Sequence, residues 1–287
     1  MISHEASRRQ VRAGKAPTVV FCNGLGMPLE LWQPVIDLLP ADRAFVAFDR
    51  PAHSPYTGED LDSQLDEIDD VLGDVIGPLV LVGHSYGGVL AEAYARHRPL
   101  RVCGLVLVDP ALPADYASDV PAAEVQATGE AAELPWWRNA AIRLSDVEGL
   151  RPLLTWLTST SMVATATRQG DFTATVEGLP AGAIEQIISV GNVTRAMLDD
   201  HHLPTICRAL LDDRESGPLR IPVTVLVGAA GPRAWPTGQP GTTAKQRAQL
   251  AAISTRADLI ELPGAHLLML DCPEDIATAI GQITASA

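Results

Sequence analysis

The fold is decided by a stretch in the first third of the chain, Leu79-Val80-Leu81-Val82-Gly83-His84-Ser85-Tyr86-Gly87-Gly88. An apolar run that is typical of a buried strand leads into a short turn, and a helical pattern follows over residues 89–97. The glycines two positions before and after Ser85 allow strand and helix to approach closely at the turn. The stretch therefore predicts a serine held on a strained bend, where its hydroxyl can act as a nucleophile.

Strand and helix patterns alternate on both sides of this stretch. The apolar runs that predict strands cover residues 18–22, 44–48, 79–82, 102–108, 223–227 and 259–262. The segments with helical spacing cover residues 61–75, 89–97, 245–253 and 273–283. Alternation of this kind predicts an α/β fold, with a mostly parallel sheet and helices on both of its faces.

The alternation is interrupted in the middle of the chain. Residues 111–218 contain no clear buried strand but several helical stretches, such as 148–158 and 183–198, and three tryptophans, Trp136, Trp137 and Trp156. We expect residues 1–110 and 219–287 to form one α/β core and residues 111–218 to form a helical cap inserted over one end of the sheet. Side chains of such a cap, the tryptophans among them, would line a substrate pocket.

Composition limits the classes of partner. The 287 residues carry a formal charge of −14 and 47% of them are hydrophobic, so the chain has the means to build a large core and no basic surface for nucleic acid or for an anionic membrane. The four cysteines have no metal-type spacing and are expected to be buried thiols. No apolar run reaches the length of a signal peptide or of a membrane span, which predicts a cytoplasmic protein. The expected partner is a small-molecule substrate.

A serine nucleophile needs a histidine as its general base. His266 is the best candidate because it follows the strand at 259–262 through Pro-Gly-Ala, in a loop at the carboxyl edge where the Ser85 turn also lies. His53 follows another strand and is the nearest rival, while His84 is predicted to point away from the serine. The run Asp199-Asp200-His201-His202 is interpreted as a solvated helix terminus and not as a metal site.

The residues described so far resemble the α/β-hydrolase superfamily from about Thr18 to the C-terminus, outside the insertion. The likeness extends to a loop that reads Phe21-Cys22-Asn23-Gly24-Leu25-Gly26 and to Asp49-Arg50-Pro51 after the next strand. Asn23 stands where the family usually has His, and Ala52-His53-Ser54 replaces the more usual Gly-His-Gly. The resemblance implies that the backbone N–H groups of Leu25 and Tyr86 form an oxyanion hole. Because these donors belong to the backbone, the change from His to Asn at position 23 need not remove them.

The acid of the catalytic triad is the largest departure from the family. Most members have an Asp after the next-to-last strand, yet residues 228–235 of this chain contain no carboxylate. The resemblance to a minority of the family, including lipases of the pancreatic type, implies Asp109 as the acid, directly after the strand at 102–108. Asp-Pro at that point can instead cap a turn. Asp49, Asp199, Asp200 and Asp271 are also candidates, and a Ser-His dyad without an acid is possible.

These residues predict a serine hydrolase that cleaves a carboxylic ester or thioester through an acyl-enzyme, with Ser85, His266 and Asp109 as the triad. The mechanism needs neither a metal nor an organic cofactor. Two other classes stay open. The same fold supports cofactor-independent lyases, C–C hydrolases and peroxidase-like enzymes, and a weakly catalytic ligand-binding member would keep the pocket without efficient turnover. Substrate identity and oligomeric state are not predicted.

Overall fold

The computed structural model describes residues 8–50, 60–73, 75–117, 163–164, 167–168, 177–229 and 242–286. Within them, seven strands form one sheet: β1 (Arg9–Arg12), β2 (Lys15–Cys22), β3 (Arg43–Phe48), β4 (Leu79–His84), β5 (Val102–Val108), β6 (Leu219–Gly228) and β7 (Ser254–Leu262). The six apolar runs in the sequence all correspond to strands of this sheet, and the predicted α/β class is confirmed.

The sheet has the order β1-β3-β2-β4-β5-β6-β7, and only the described pair β1 and β3 is antiparallel. The chain moves from β2 outward to β3 and then returns to the other side of β2 to form β4. The carboxyl ends of β2 and β4 therefore lie at a switch point of the topology, where ligands bind in open α/β sheets. The loop that begins with Asn23 and the turn at Ser85 both start there.

Helices cover both faces of the sheet. The described helices are α1 (Gln33–Leu38), α2 (Leu61–Leu72), α3 (Tyr86–His97), α4 (Pro113–Ala117), α5 (Ala183–Ile187), α6 (Val190–Arg214), α7 (Thr242–Ile253), α8 (Leu268–Asp271) and α9 (Pro273–Ser286), with a short 3₁₀ helix at Leu29–Trp32. In β4, Leu79 and Leu81 pack towards α2 and α3, whereas Val80 and Val82 pack towards α1 and α9. Burial on both faces explains why β4 is apolar at successive positions instead of alternating.

The segment between β5 and β6 contributes helices and no strand in its described part, residues 111–117, 163–164, 167–168 and 177–218. The helical stretch predicted at 183–198 is two helices, α5 and α6, separated by a cap at Ser189 whose side chain accepts the Asn192 N–H. Residues 148–158 and the three tryptophans of the insertion lie outside the described residues. The division into core and cap stays a prediction.

Two local features differ from the sequence-based expectation. Strand β1 is not predicted by the sequence, because Arg-Gln-Val-Arg has no apolar run, and only its antiparallel pairing with β3 at the sheet edge makes it a strand. Of the four cysteines, Cys22, Cys207 and Cys272 are buried as expected, but Cys103 is only half-buried. Burial raises the pKa of the Cys22 thiol to about 12, so this residue is an apolar core side chain rather than a nucleophile.

Candidate active site

Ser85 occupies the strained turn that the sequence predicts between β4 and α3. Its backbone has φ 51° and ψ −118°, a conformation that costs a residue with a side chain about 1–3 kcal/mol. The turn is fixed on both sides, since the Ser85 N–H donates to the Val108 carbonyl at 3.1 Å and the Ser85 carbonyl accepts from the N–H of Gly88 and of Ala111. Ser85 is half-buried, whereas its neighbours on both sides are buried.

Gly83 and Gly87 flank the strand-to-helix turn at Ser85, which we call the elbow, and both must be glycine because other backbone atoms approach them closely. A Cβ at Gly87 would lie 2.5 Å from the carbonyl oxygen of Asn23, and a Cβ at Gly83 would lie 2.7 Å from the Cα of Gly88. Both contacts are with backbone atoms, which would have to shift to accept a side chain. The absence of side chains at these positions lets the first turn of α3 pack directly on the end of β2, which brings Ser85 next to the loop that follows Asn23.

Asp109 and His266 meet at the same edge of the sheet. His266 Nδ1 lies 2.6 Å from Asp109 Oδ2, and both side chains are almost fully buried. A carboxylate oxygen can only accept, so Nδ1 carries the proton and donates it. In neutral His266 the lone pair is then on Nε2, the nitrogen on the opposite side of the ring, which is the arrangement that a general base needs.

Asp109 is held from two directions. It has a positive φ of 41°, as Ser85 does, and these are the two non-glycine residues in the described chain with that feature. Its N–H donates to the Leu226 carbonyl at 2.7 Å, and its Oδ1 accepts the Gly228 N–H at 3.2 Å. Gly228 directly follows Val227, where most of the family would begin the segment that carries the acid. Here the backbone of that segment orients an acid supplied by the neighbouring strand.

The loop that carries His266 is fixed by a second carboxylate. Asp271 Oδ2 accepts the N–H of Ala265 at 2.8 Å, and it also accepts the N–H of Arg168 at 2.8 Å. The sequence leaves Asp271 open as a triad acid, but these hydrogen bonds go to backbone groups and not to the imidazole. Asp271 therefore supports the loop while Asp109 orients the ring.

Asn23 has a structural role in the loop after β2. Its Oδ1 accepts the indole N–H of Trp32 at 2.7 Å, and its Nδ2 donates to the Phe48 carbonyl at 3.0 Å. Asp49 Oδ1 accepts the Leu29 N–H at 2.7 Å and so holds the far end of the same loop. Burial raises the pKa of Asp49 to about 6, against the Leu29 hydrogen bond and the charge of Arg8, which lower it.

Helix α6 covers this loop. Asn192 Nδ2 donates to the Gly26 carbonyl at 2.8 Å, and a Cβ at Gly26 would lie 3.1 Å from Ala196 Cβ. One turn further along α6, Asp199 is fully buried between the guanidinium groups of Arg50 and Arg195. Helix α6 therefore packs on the loop that contains Leu25, at the carboxyl edge of the sheet.

The buried charges of α6 contradict one expectation. The sequence suggests that Asp199 and His202 are solvated residues of a helix terminus, but they lie inside α6, with exposures of 0% and 8%. Burial lowers the pKa of His202 to about 4. Asp199 pairs with Arg50, 149 positions away in sequence, a contact that no local pattern indicates. The Asp199 carboxylate therefore pairs with arginines and does not serve as the acid of the site. His53, the other candidate base, lies outside the described residues.

The site contains one histidine whose importance the sequence interpretation missed. The ring of His84 lies 4.6 Å from the ring of His266 between centroids, and its Nε2 is 2.9 Å from the His266 carbonyl oxygen. The available signal was a polar, ionisable side chain at the end of an otherwise apolar strand. A fully buried histidine at that position requires a hydrogen-bond partner, and the His266 loop supplies it.

Fold and site together define a class: α/β proteins with a serine on a strand-to-helix elbow and an Asp–His pair at the same sheet edge. The sequence profile described as the alpha/beta hydrolase family matches residues 19–279. The chain belongs to the alpha/beta hydrolase family, as the resemblance indicated.

Individual relatives are more distant. The chain is 32% identical over 108 residues to the monoacylglycerol lipase ABHD6 of Bos taurus, a match to 35% of this chain and 32% of that protein. The match thus spans about a third of the length of this curated relative. Among solved structures, a thermophilic esterase from Thermogutta terrifontis has a TM-score of 0.67 at 19% identity, covering 96% of this chain and 92% of its own.

The enol-lactonase from Burkholderia xenovorans LB400 also has a TM-score of 0.67, at 17% identity, with 97% of this chain and 96% of that chain covered. At such identities the likeness to these two structures concerns the fold alone. Within the described residues, no helix combines the length and the apolar character that crossing a membrane requires.

Proposed function

We propose that this chain is a serine hydrolase that cleaves a carboxylic ester or thioester of a small molecule through an acyl-enzyme. The observation that carries the proposal is the 2.6 Å hydrogen bond between His266 Nδ1 and Asp109 Oδ2, at the sheet edge that also holds the strained turn of Ser85. Strain concentrated at two residues of one site supports a functional interpretation, since such backbone persists only where the surroundings enforce it.

The chemistry proceeds in two halves. Ser85 Oγ attacks the carbonyl carbon while His266 Nε2 takes the hydroxyl proton, and the N–H groups of Leu25 and Tyr86 stabilise the oxyanion. The tetrahedral intermediate expels the alcohol or thiol, which receives the proton from His266. A water molecule then loses a proton to His266 and attacks the acyl-enzyme, and the collapse of the second intermediate returns Ser85 and releases the acid.

Asp109 supports both halves without taking the proton. It keeps the proton of neutral His266 on Nδ1, and its negative charge stabilises the imidazolium that forms when Nε2 accepts the serine proton. The Gly228 N–H on Oδ1 prevents the carboxylate from rotating away. The name of the monoacylglycerol lipase relative is consistent with an ester substrate, although only a third of that protein is matched.

The proposal is tested with a fluorophosphonate probe, which reacts with activated serines. Wild type is compared with Ser85→Ala and with Ser63→Ala, a matched control that removes an exposed hydroxyl from α2. We expect equal labelling of wild type and Ser63→Ala and none of Ser85→Ala. A series of p-nitrophenyl esters of increasing acyl length then measures the preferred substrate. Wild type that stays unlabelled and does not cleave these esters would contradict the proposal and favour a ligand-binding member of the family.

A further inference from the structure

His84 is a buried histidine that the proposed mechanism does not use. It is 1% exposed and lies at the end of β4, directly before Ser85. Its ring contacts Trp32 edge-on, with 6.5 Å between ring centroids, and lies 4.6 Å from the ring of His266. A burial of this degree is costly for an ionisable side chain unless a specific interaction compensates for it.

The protonation state of His84 follows from its partners. The His266 carbonyl oxygen can only accept, so His84 Nε2 carries a proton and donates it over 2.9 Å. Burial lowers the pKa of His84 well below its ordinary value, and the nearby His266 lowers it further, while the hydrogen bond to the His266 backbone acts in the opposite direction. His84 is therefore a neutral imidazole with its lone pair on Nδ1.

Nδ1 faces the loop after β2. A Cβ at Gly24 would lie 2.6 Å from His84 Nδ1 and 3.2 Å from Ser85 Cβ, so the imidazole fills the space that a side chain at position 24 would need. Within the described part of the chain, Nδ1 has no hydrogen-bond partner. The ring is thus wedged between Gly24 and the His266 loop, with one directional bond, and that bond ends on the backbone of the proposed general base.

We infer that His84 is a positioning residue, which fixes the backbone of His266 through its Nε2–H and thereby keeps the His266 ring aligned between Asp109 and Ser85. Asp109 holds one ring nitrogen of His266, and Asp271 holds the loop through the N–H of the preceding residue, Ala265. The His84 bond adds an attachment on the main chain of His266 itself, the residue that carries the ring. Because His84 stays neutral, it does this without placing a second positive charge beside the imidazolium.

This inference rests on the proposed serine-hydrolase function, and three variants test it. His84→Met removes the N–H donor at similar volume, His84→Gln retains an N–H donor at comparable reach, and His97→Met makes the same exchange at the half-buried end of α3. Because His84→Met removes one hydrogen bond to the main chain of the base, we expect it to lower kcat on the order of tenfold with KM unchanged. His84→Gln should restore most of that loss, and His97→Met should resemble wild type.

A double-mutant cycle distinguishes positioning from packing. If His84 acts through His266, its effect requires that Asp109 also holds the ring, so the cost of His84→Met in fluorophosphonate labelling should largely vanish in an Asp109→Asn background. Additive costs, or equal losses in the Met and Gln variants, would overturn the inference.

A measurement on the wild type covers the case in which the Met variant does not fold. Histidine ¹⁵N NMR should show His84 as the neutral tautomer protonated on Nε2, hydrogen-bonded to the His266 carbonyl. A proton on Nδ1 of His84 would overturn the inference. Wild type that labels no better than Ser85→Ala would overturn it together with the hydrolase function, whereas a fully active His84→Met would overturn the role of His84 alone.

Discussion

Asp109→Asn is the substitution whose effect the structure defines most closely. Asp109 Oδ1 accepts the Gly228 N–H, so an asparagine would keep its oxygen there and turn its NH₂ group towards His266 Nδ1. An NH₂ group can only donate, so Nδ1 would become the acceptor and the proton of neutral His266 would move to Nε2. The general base would then hold its proton on the nitrogen that has to accept one. A flipped amide would avoid this, but its NH₂ group would then face the Gly228 N–H, and two donors cannot hydrogen-bond to each other.

The expected loss is about 10⁴-fold in kcat, or roughly 5.4 kcal/mol at about 1.36 kcal/mol per factor of ten. Steady-state hydrolysis of a p-nitrophenyl ester measures it, and thermal unfolding checks that the variant is folded. The matched control is Asp115→Asn, which neutralises a carboxylate that is paired with Lys245 at the surface and should change kcat less than about twofold. Folded Asp109→Asn that keeps kcat within about tenfold of wild type would refute the role given to this acid.

Three further predictions concern stability. Because the pKa of Asp49 is raised to about 6 in the folded chain, ionisation of this carboxyl group destabilises the fold. The unfolding free energy of Asp49→Asn, measured in urea, should therefore increase relative to that of wild type between about pH 4 and pH 6, and the difference should stay constant above about pH 6. A difference that does not change over this pH range would contradict this prediction. Asp199→Ala removes the buried carboxylate that Arg50 and Arg195 share, although Arg195 keeps its ion pair with Glu67, and should cost about 3–5 kcal/mol in the same assay. A cost below about 1 kcal/mol would show that the ion pairs of Asp199 are unimportant. Gly87→Ala forces a methyl group against the carbonyl of the loop after β2, so soluble expression and melting temperature should both fall, and an unchanged melting temperature would refute the close packing of the elbow.

Features of the fold that depend on local sequence were predictable. Strands β2 to β6 are buried over most of their length or at their carboxyl ends, and each contains an apolar run in the sequence; β7 is mostly exposed but also ends in an apolar run. The elbow is specified by residues within five positions of each other. The β1 strand was not predictable, because Arg9–Arg12 has no strand pattern and pairs only at the sheet edge. Buried Asp199 was missed for a similar reason, since one of the arginines that compensate its charge, Arg50, is far away in the chain.

The site was predictable to a different degree at each residue. Ser85 follows from its own motif and His266 from its position after a strand. Asp109 could only be named among several acids, because its approach to His266 depends on the pairing of β5 with β6, which sets Val108 beside Leu226. His84 was missed because its partner is a backbone carbonyl 182 positions away, which no side-chain pattern in the sequence reports.

The most direct test of the account is a crystal structure of the chain after reaction with a fluorophosphonate. The account predicts phosphorus bonded to Ser85 Oγ, a phosphoryl oxygen about 2.7–3.1 Å from the N–H nitrogens of Leu25 and Tyr86, and His266 Nε2 within hydrogen-bond reach of the adduct. Phosphorus on a different side chain, or an adduct at Ser85 that the imidazole of His266 cannot reach, would contradict it.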